Sequence, residues 1–405
     1  MTGFSQTRLD RIKTWMQRYV DEQKFPGSSV LISQKGQEVF YHDCGQRDIA
    51  ASQPWTRDTV VRIYSMTKPV TSVALMMLVE EGLVHLDAPL GQILPEFAEM
   101  TAVVPGATRL DQTEPAPSPT LHQLLTHTSG LTYGFNLGLV QTAMAEADLN
   151  FGPSEGTLED ICQRLATYPL VFQPGAGWEY SVGIDVIGRV VEVLSDQTLD
   201  TFFQERIFDP LGMTDTGFAV KDGQADRFAA LYTPLAGNAM DLNAETKGSD
   251  PLREIDRAEG SPYLAPTTFS GGGGLIGTID DYAKFAEMLR QGGALNGQRL
   301  LSRHTVEFMC RNHLAGDIAS MGPSSFAEQP MDGVGFGIGG AVVLDPARAR
   351  CAGSVGDFSW GGMASTFFWV DPLNDVSVVF FTQLSPSSSY PNRAELKALV
   401  HGAME

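Results

Sequence analysis

The 405-residue sequence is short of cysteine, of basic residues and of long apolar runs, and each shortage removes a class of function. Its four cysteines, Cys44, Cys162, Cys310 and Cys351, stand far apart with no C-x-x-C spacing, which excludes a dithiol redox centre and a zinc ribbon. His122 and His127 are five apart, not the i, i+4 pair that shares a helix face, so neither a metal site nor a cofactor is expected. Lys plus Arg number 28 against 48 Asp plus Glu, a formal net charge of −20. Such a surface repels nucleic acid and anionic membranes, so neither is an expected partner. No stretch reaches the roughly 18 consecutive apolar residues of a membrane span, and Met1 to Lys24 is polar with a helical period rather than a signal peptide, which gives a cytoplasmic expectation.

What is present suits a large folded core: 43% hydrophobic and 19% charged. After the opening helix, Ser28–Ser33 and Glu38–Cys44 read as a hairpin turning at Gln34-Lys35-Gly36. Met66 to Glu81 reads as a helix with proline only in its first turn and a stop at Gly82. Helical periods at Leu158–Ala166 and Ile184–Leu194 then alternate with Pro-rich connections such as Thr113 to Pro119, and Ser270 to Gly274 reads as a flexible corner. A helix capped by Thr278 follows, then strand-like runs at Val334–Leu344, Ser365–Val370 and Val376–Leu384, and a closing helix from Asn392 to about Gly402. Strands at both ends must pair to bury their apolar faces. The expected fold is therefore α+β: an antiparallel sheet domain from 1–85 and 265–405, flanked by helices, with a mainly helical domain, 86–264, inserted between its halves.

A neutral serine hydroxyl is a poor nucleophile and needs a base and oxyanion donors. Ser65-Met66-Thr67-Lys68 offers the base locally, because residues i and i+3 share a helix face. Taken alone the spacing is weak, since the chain holds eight lysines and Ser65 can be read as a plain N-cap. Its company reverses that: an apolar Thr59–Tyr64 before it, a strong helix after it, then Leu124-Leu-Thr-His-Thr-Ser-Gly-Leu131 and Pro174-Gly-Ala-Gly-Trp-Glu-Tyr-Ser-Val182.

At these motifs, joined by Phe208–Thr216, Gly271–Gly277 and Val379–Gln383, the chain resembles the class C-like branch of the serine β-lactamase and penicillin-binding-protein superfamily, and within it the family VIII carboxylesterases. The resemblance implies a β-lactamase/DD-peptidase-like fold in which Ser65 is acylated, with Lys68 and Tyr180 as its catalytic partners. Free tyrosine and lysine titrate near 10 and 10.4, so a proton shared between the two is the expected source of a base. It further implies an oxyanion hole from the N–H groups of Ser65 and Met363. Substrate would be bound at Trp360, Gly361, Gly362 and Val182, with Trp360 walling the acyl pocket and the glycines letting substrate approach the strand.

Two departures from the superfamily pattern shape the expected substrate. Where β-lactamases carry Lys-Thr-Gly, this chain has Trp360-Gly-Gly, with no cation to hold a penicillin carboxylate; where asparagine usually follows the tyrosine by two places, it has Val182. Both leave ester chemistry intact, so the expectation is a serine carboxylesterase acting on small, short-chain esters. A β-lactamase, D-amino-acid peptidase or acyltransferase using the same acyl-enzyme is the alternative, and a silent scaffold of the same fold is a further one.

Overall fold

The computed structural model describes residues 3–154, 156–240 and 246–405, so the first two residues of the Met1–Lys24 segment lie outside it. Its centre is an eight-stranded antiparallel sheet built from both ends of the chain. Strands β1 (Gly27–Gln34), β2 (Gln37–Asp48) and β3 (Gln53–Pro54) come from the N-terminal part. The C-terminal part supplies β4 (Val334–Phe336), β5 (Ala341–Val343), β6 (Phe358–Gly361), β7 (Phe367–Asp371) and β8 (Val376–Thr382). The order is β4-β5-β6-β7-β8-β1-β2-β3, and the two halves join where β1 meets β8, with Val30 opposite Phe380 and Ile32 opposite Val378.

Central strands covered on both faces are buried at every position, as β1, β7 and β8 are, and their middles are continuous apolar runs at Val30–Ile32, Phe367–Val370 and Val378–Phe381. Val30, Ile32, Trp369, Val378 and Phe380 point to one side, where they meet Leu9, Ile12, Trp15 and Met16 of α1 (Gln6–Asp21) and Leu396 and Val400 of the closing helix. Leu31, Phe368, Val379 and Phe381 point to the other, against Tyr282, Phe285 and Leu289. The turn between β1 and β2 has both Lys35 and Gly36 at positive φ, the two-residue geometry that matches strand twist.

The second layer holds α2 (Thr67–Glu80), which packs on α4 (Gly183–Ser195), and α3 (Leu158–Leu165), which also packs on α4. Helix α5 (Ile279–Arg290) lies on β8, and α6 (Asn392–Ala403) closes the chain beside α1. One apolar cluster runs unbroken from the inner sheet face into the helical region.

Three local expectations are corrected. Thr113–Ala116, read as connection, is a strand paired with Met100–Val103. Thr278 occupies the N-cap position of α5, yet its side chain makes no capping hydrogen bond. The Ser270–Gly274 corner is tied rather than flexible: Gly272 N–H donates to Asp185 at 2.9 Å, Leu275 N–H to Thr67 Oγ1 at 3.1 Å, and Thr71 Oγ1 to the Gly271 carbonyl at 2.6 Å. Its glycines are there because a Cβ at Gly271 or Gly272 would run into the Ile184 carbonyl or the Asp185 carboxylate.

Candidate active site

Ser65 sits in a single tight turn, Tyr64–Met66, between a short strand and α2. Tyr64 just before it has φ +43°, a left-handed conformation that an aromatic residue adopts only when its surroundings enforce it. The enforcing contacts run to both layers: Ile63 N–H donates to the Leu275 carbonyl at 3.1 Å, and Tyr282 Oη to the Met66 carbonyl at 2.8 Å.

The three groups expected to converge do so. Tyr180 Oη lies 2.6 Å and Lys68 Nζ 3.2 Å from Ser65 Oγ. Lys68 is fully buried, so its amine is satisfied by protein alone: besides Ser65 it reaches Tyr133 Oη at 2.9 Å and the Gly272 carbonyl at 2.7 Å. Tyr133 Oη in turn donates to Asp185 Oδ2 at 3.0 Å. Asp185, buried in the first turn of α4, also accepts from Ser270 Oγ and Gly272 N–H. Burial pushes its carboxyl above the ordinary value, while the nearby Lys68 and the three donors pull the other way. Burial, with Asp185 beside it, holds the Tyr133 phenol well above its usual range.

Tyr133 and Asp185 went unread in the sequence. Tyr133 stands two places beyond the quoted Leu124–Leu131 motif, and Asp185 is a lone charged residue within the otherwise apolar stretch Val182–Gly188, a pattern that signals a buried, partnered charge.

His127 anchors the tyrosine segment. Its Nδ1 accepts from Ser181 N–H at 3.2 Å, its carbonyl accepts from Glu179 N–H at 3.0 Å, and its ring lies 4.8 Å from that of Tyr180. Burial, with Lys68 nearby, drives its pKa well below the ordinary value, so it serves as a neutral support.

A cavity of about 1490 Å³ opens over Ser65, lined among others by Tyr133, Tyr180, Phe326, Trp360 and Met363. Trp360 is stacked on Phe326 with ring centroids 5.9 Å apart and lies 5.5 Å from Tyr180, an aromatic wall on one side of the serine. The Met363 N–H has no hydrogen-bond partner among the described residues. The cavity as a whole exceeds the usual range of roughly 300–1,000 Å³ for small-molecule sites, so the narrow pocket expected from Trp360 is confined to its own wall.

Three substrate-binding expectations change. Val182 is fully buried at the start of α4 and does not line the cavity, because the helix turns its side chain into the core. Gly361 and Gly362 do line it, but their missing side chains admit protein: a Cβ on Gly362 would overlap the Ile63 carbonyl oxygen, and one on Gly361 would lie 2.6 Å from Arg393 Nη2. Nor is the Trp-Gly-Gly strand without a cation, since the Arg393 guanidinium, distant in sequence, packs against Gly361. Elsewhere, among the described residues, Asp357, Asp371 and His401 bring three potential ligand atoms within 4.8 Å of one another. Lys397 Nζ, 3.7 Å from Asp357, already supplies a positive charge there.

A family model described as Beta-lactamase matches residues 12–402. Esterase EstB of Burkholderia gladioli is 32% identical, over 93% of this chain and 89% of its own. Lovastatin esterase of Penicillium rubens is 31% identical, over 90% of each. The solved structure of EstCE1, described as a hydrolase with promiscuous acyltransferase activity, superposes with a TM-score of 0.80 at 29% identity, over 98% of this chain and 99% of that one.

Proposed function

Since this chain belongs to the beta-lactamase family and is a serine hydrolase, we propose that it cleaves small carboxylic esters through an acyl-enzyme on Ser65. The observation that carries the reading is the bracketing of Ser65 Oγ by the Tyr180 phenol at 2.6 Å and the Lys68 amine at 3.2 Å.

The hydrogen bonds limit the Lys68–Ser65–Tyr180 protons to two arrangements. The Gly272 carbonyl only accepts, and Tyr133 spends its own proton on Asp185, so two of the Lys68 N–H bonds are committed as donors. The third position faces Ser65. A neutral amine there accepts the serine proton while Tyr180 donates to Oγ; an ammonium donates to Oγ while the serine proton goes to a Tyr180 phenolate. The two arrangements differ by protons moved within the triad and carry the same total charge. Either one presents a base to the serine, and the Tyr133–Asp185 arm keeps Lys68 in line for both.

In the first half-reaction Oγ bonds to the ester carbonyl carbon and its proton passes to the Tyr180–Lys68 pair. The N–H groups of Ser65 and Met363 hold the oxyanion, and the pair returns the proton to the departing alcohol. Water then attacks the acyl-enzyme by the same route in reverse. Nothing in this sequence needs a metal or an organic cofactor. The Trp360–Phe326 wall favours short acyl groups, and the rest of the cavity leaves room for a larger alcohol. That room also favours a second reading, transfer of the acyl group to an alcohol in place of water, in keeping with the description of EstCE1; it is checked by adding a primary alcohol and resolving ester from acid among the products.

The test of the main reading is turnover of p-nitrophenyl esters from acetate to decanoate. Activity should peak at short acyl groups, and Ser65→Ala should lower kcat by at least about a thousandfold. A fluorophosphonate probe should phosphonylate Ser65, fluoride leaving, and add the mass of the probe less HF. A modified side chain other than Ser65 would sink the assignment.

A further inference from the structure

The cavity wall holds a charge pair that the chemistry above does not use. Arg393, in the first turn of α6, is 12% exposed and Glu328, at the tip of the hairpin Ser325–Phe326/Gln329–Pro330, is 7% exposed; both line the cavity. A cation in the first turn of a helix faces the positive end of the helix dipole and needs an anion beside it. Glu328 is that anion, and burial raises its carboxyl pKa while Arg393 lowers it.

The pairing is lopsided. Both carboxylate oxygens are held by one nitrogen, Nη1, at 3.1 and 2.9 Å. Nε is buried without a partner, and among the described residues Nη2 has none either. An arginine grips a carboxylate best through two parallel N–H bonds, and here the Nε–Nη2 edge that could do so is unspent. That edge faces Gly361: an atom at the Cβ position there would sit 2.6 Å from Nη2 and 2.9 Å from Nε. Any side chain at position 361 would cover the edge. Gly361 adjoins Trp360 in β6, and Ser65, Glu328, Gly361 and Arg393 all line the one cavity.

We propose that Glu328 is a specificity determinant: by pairing with Arg393 it neutralises the carboxylate-binding arginine of the cavity and keeps the site selective for esters without a free carboxylate. An anionic substrate meets an arginine whose field is cancelled by a neighbouring charge of opposite sign; the same arginine without Glu328 is a full, partly desolvated positive charge with no anion beside it. Each member of the pair therefore masks the other. Removing either one should move charge selectivity, in opposite directions.

The inference rests on the esterase reading, and the experiment separates the two. Wild-type turnover of methyl 4-acetoxybenzoate tests that reading alone. The ratio of kcat/KM for 4-acetoxybenzoate to that of its methyl ester tests Glu328, with mono-4-nitrophenyl adipate and its methyl ester placing the carboxylate on the acyl side. Glu328→Gln should raise at least one of these ratios about tenfold or more. Arg393→Gln should lower the same ratio and raise that of butyrylcholine to 3,3-dimethylbutyl butyrate. The double variant, again without net charge, should return towards wild type. Circular dichroism identifies a variant that does not fold, and either single variant that folds decides the matter. Calorimetric binding of 4-acetamidobenzoate and its methyl ester in a Ser65→Ala background reads the same preference without turnover. Ratios unmoved in a folded single variant would overturn the proposal.

Discussion

A buried lysine is costly unless every N–H finds an acceptor, and Lys68 has three. This makes Tyr133 more than an aromatic neighbour, because it joins Lys68 to Asp185 and sets how many amine protons are already committed. Tyr133→Phe deletes that acceptor and leaves the ring. Its kcat should fall about 10- to 100-fold with little change in KM, measured on p-nitrophenyl acetate. An unchanged kcat would reduce Tyr133 to packing. Ser65, Lys68 and Tyr180 were legible from spacing and resemblance because a local motif carries the first two and a distinctive segment the third. Arg393, Glu328 and the Tyr133–Asp185 arm were not, since nothing along the chain links residue 361 to 393 or 133 to 185.

At the scale of elements, the nucleophile turn is held between two glycine-dependent contacts. The corner at Gly271–Gly274 grips the start of α2, and Gly362 lets the end of β6 lie directly on the Ile63 carbonyl. Gly362→Ala would force β6 and the Tyr64–Met66 turn apart. It should cost about 1–3 kcal/mol of stability, read from denaturant unfolding, and depress kcat more than KM. A variant as stable and active as the parent would show that the turn tolerates the shift. The sequence marked Gly361 and Gly362 as important for one reason and the structure adds another: both line the cavity, and a Cβ at either would meet Arg393 or Ile63. Pattern shows that a position needs a small residue; only the neighbours show why. The same holds for Val182, which a motif places beside Tyr180 and the start of α4 turns inward.

Across the whole molecule, the sheet is closed by α6, whose Lys397 and His401 lie over Asp357 before β6 and Asp371 at the end of β7. Burial pushes the Asp357 carboxyl up to about 6, against the pull of Lys397. Burial acts on Asp371 too, but His401, with donors from Asn374 and Ser354, holds it below the usual range. A carboxyl whose folded pKa is raised favours the folded state while protonated, and that contribution fades as pH climbs from about 4 through about 6. Asp357→Asn has no proton to give up. Between pH 5 and 7.5 the wild type should therefore lose about 1–2 kcal/mol relative to this variant. In scanning calorimetry the Tm of Asp357→Asn minus that of wild type should grow more positive over the interval, and a difference that shrinks would contradict the sign.

The order of apolar and polar residues decided the two-sided burial of β1, β7 and β8, the helices flanking them and the presentation of Ser65 at a strand-to-helix junction, because side-chain period and turn chemistry are local properties. Charge and composition likewise set the acidic surface. Tertiary structure alone decided which buried groups share protons with Lys68, which cation stands behind Gly361 and which face of each glycine is crowded. Those contacts join residues tens to hundreds of positions apart, and their energies depend on distance and burial, which no linear pattern carries.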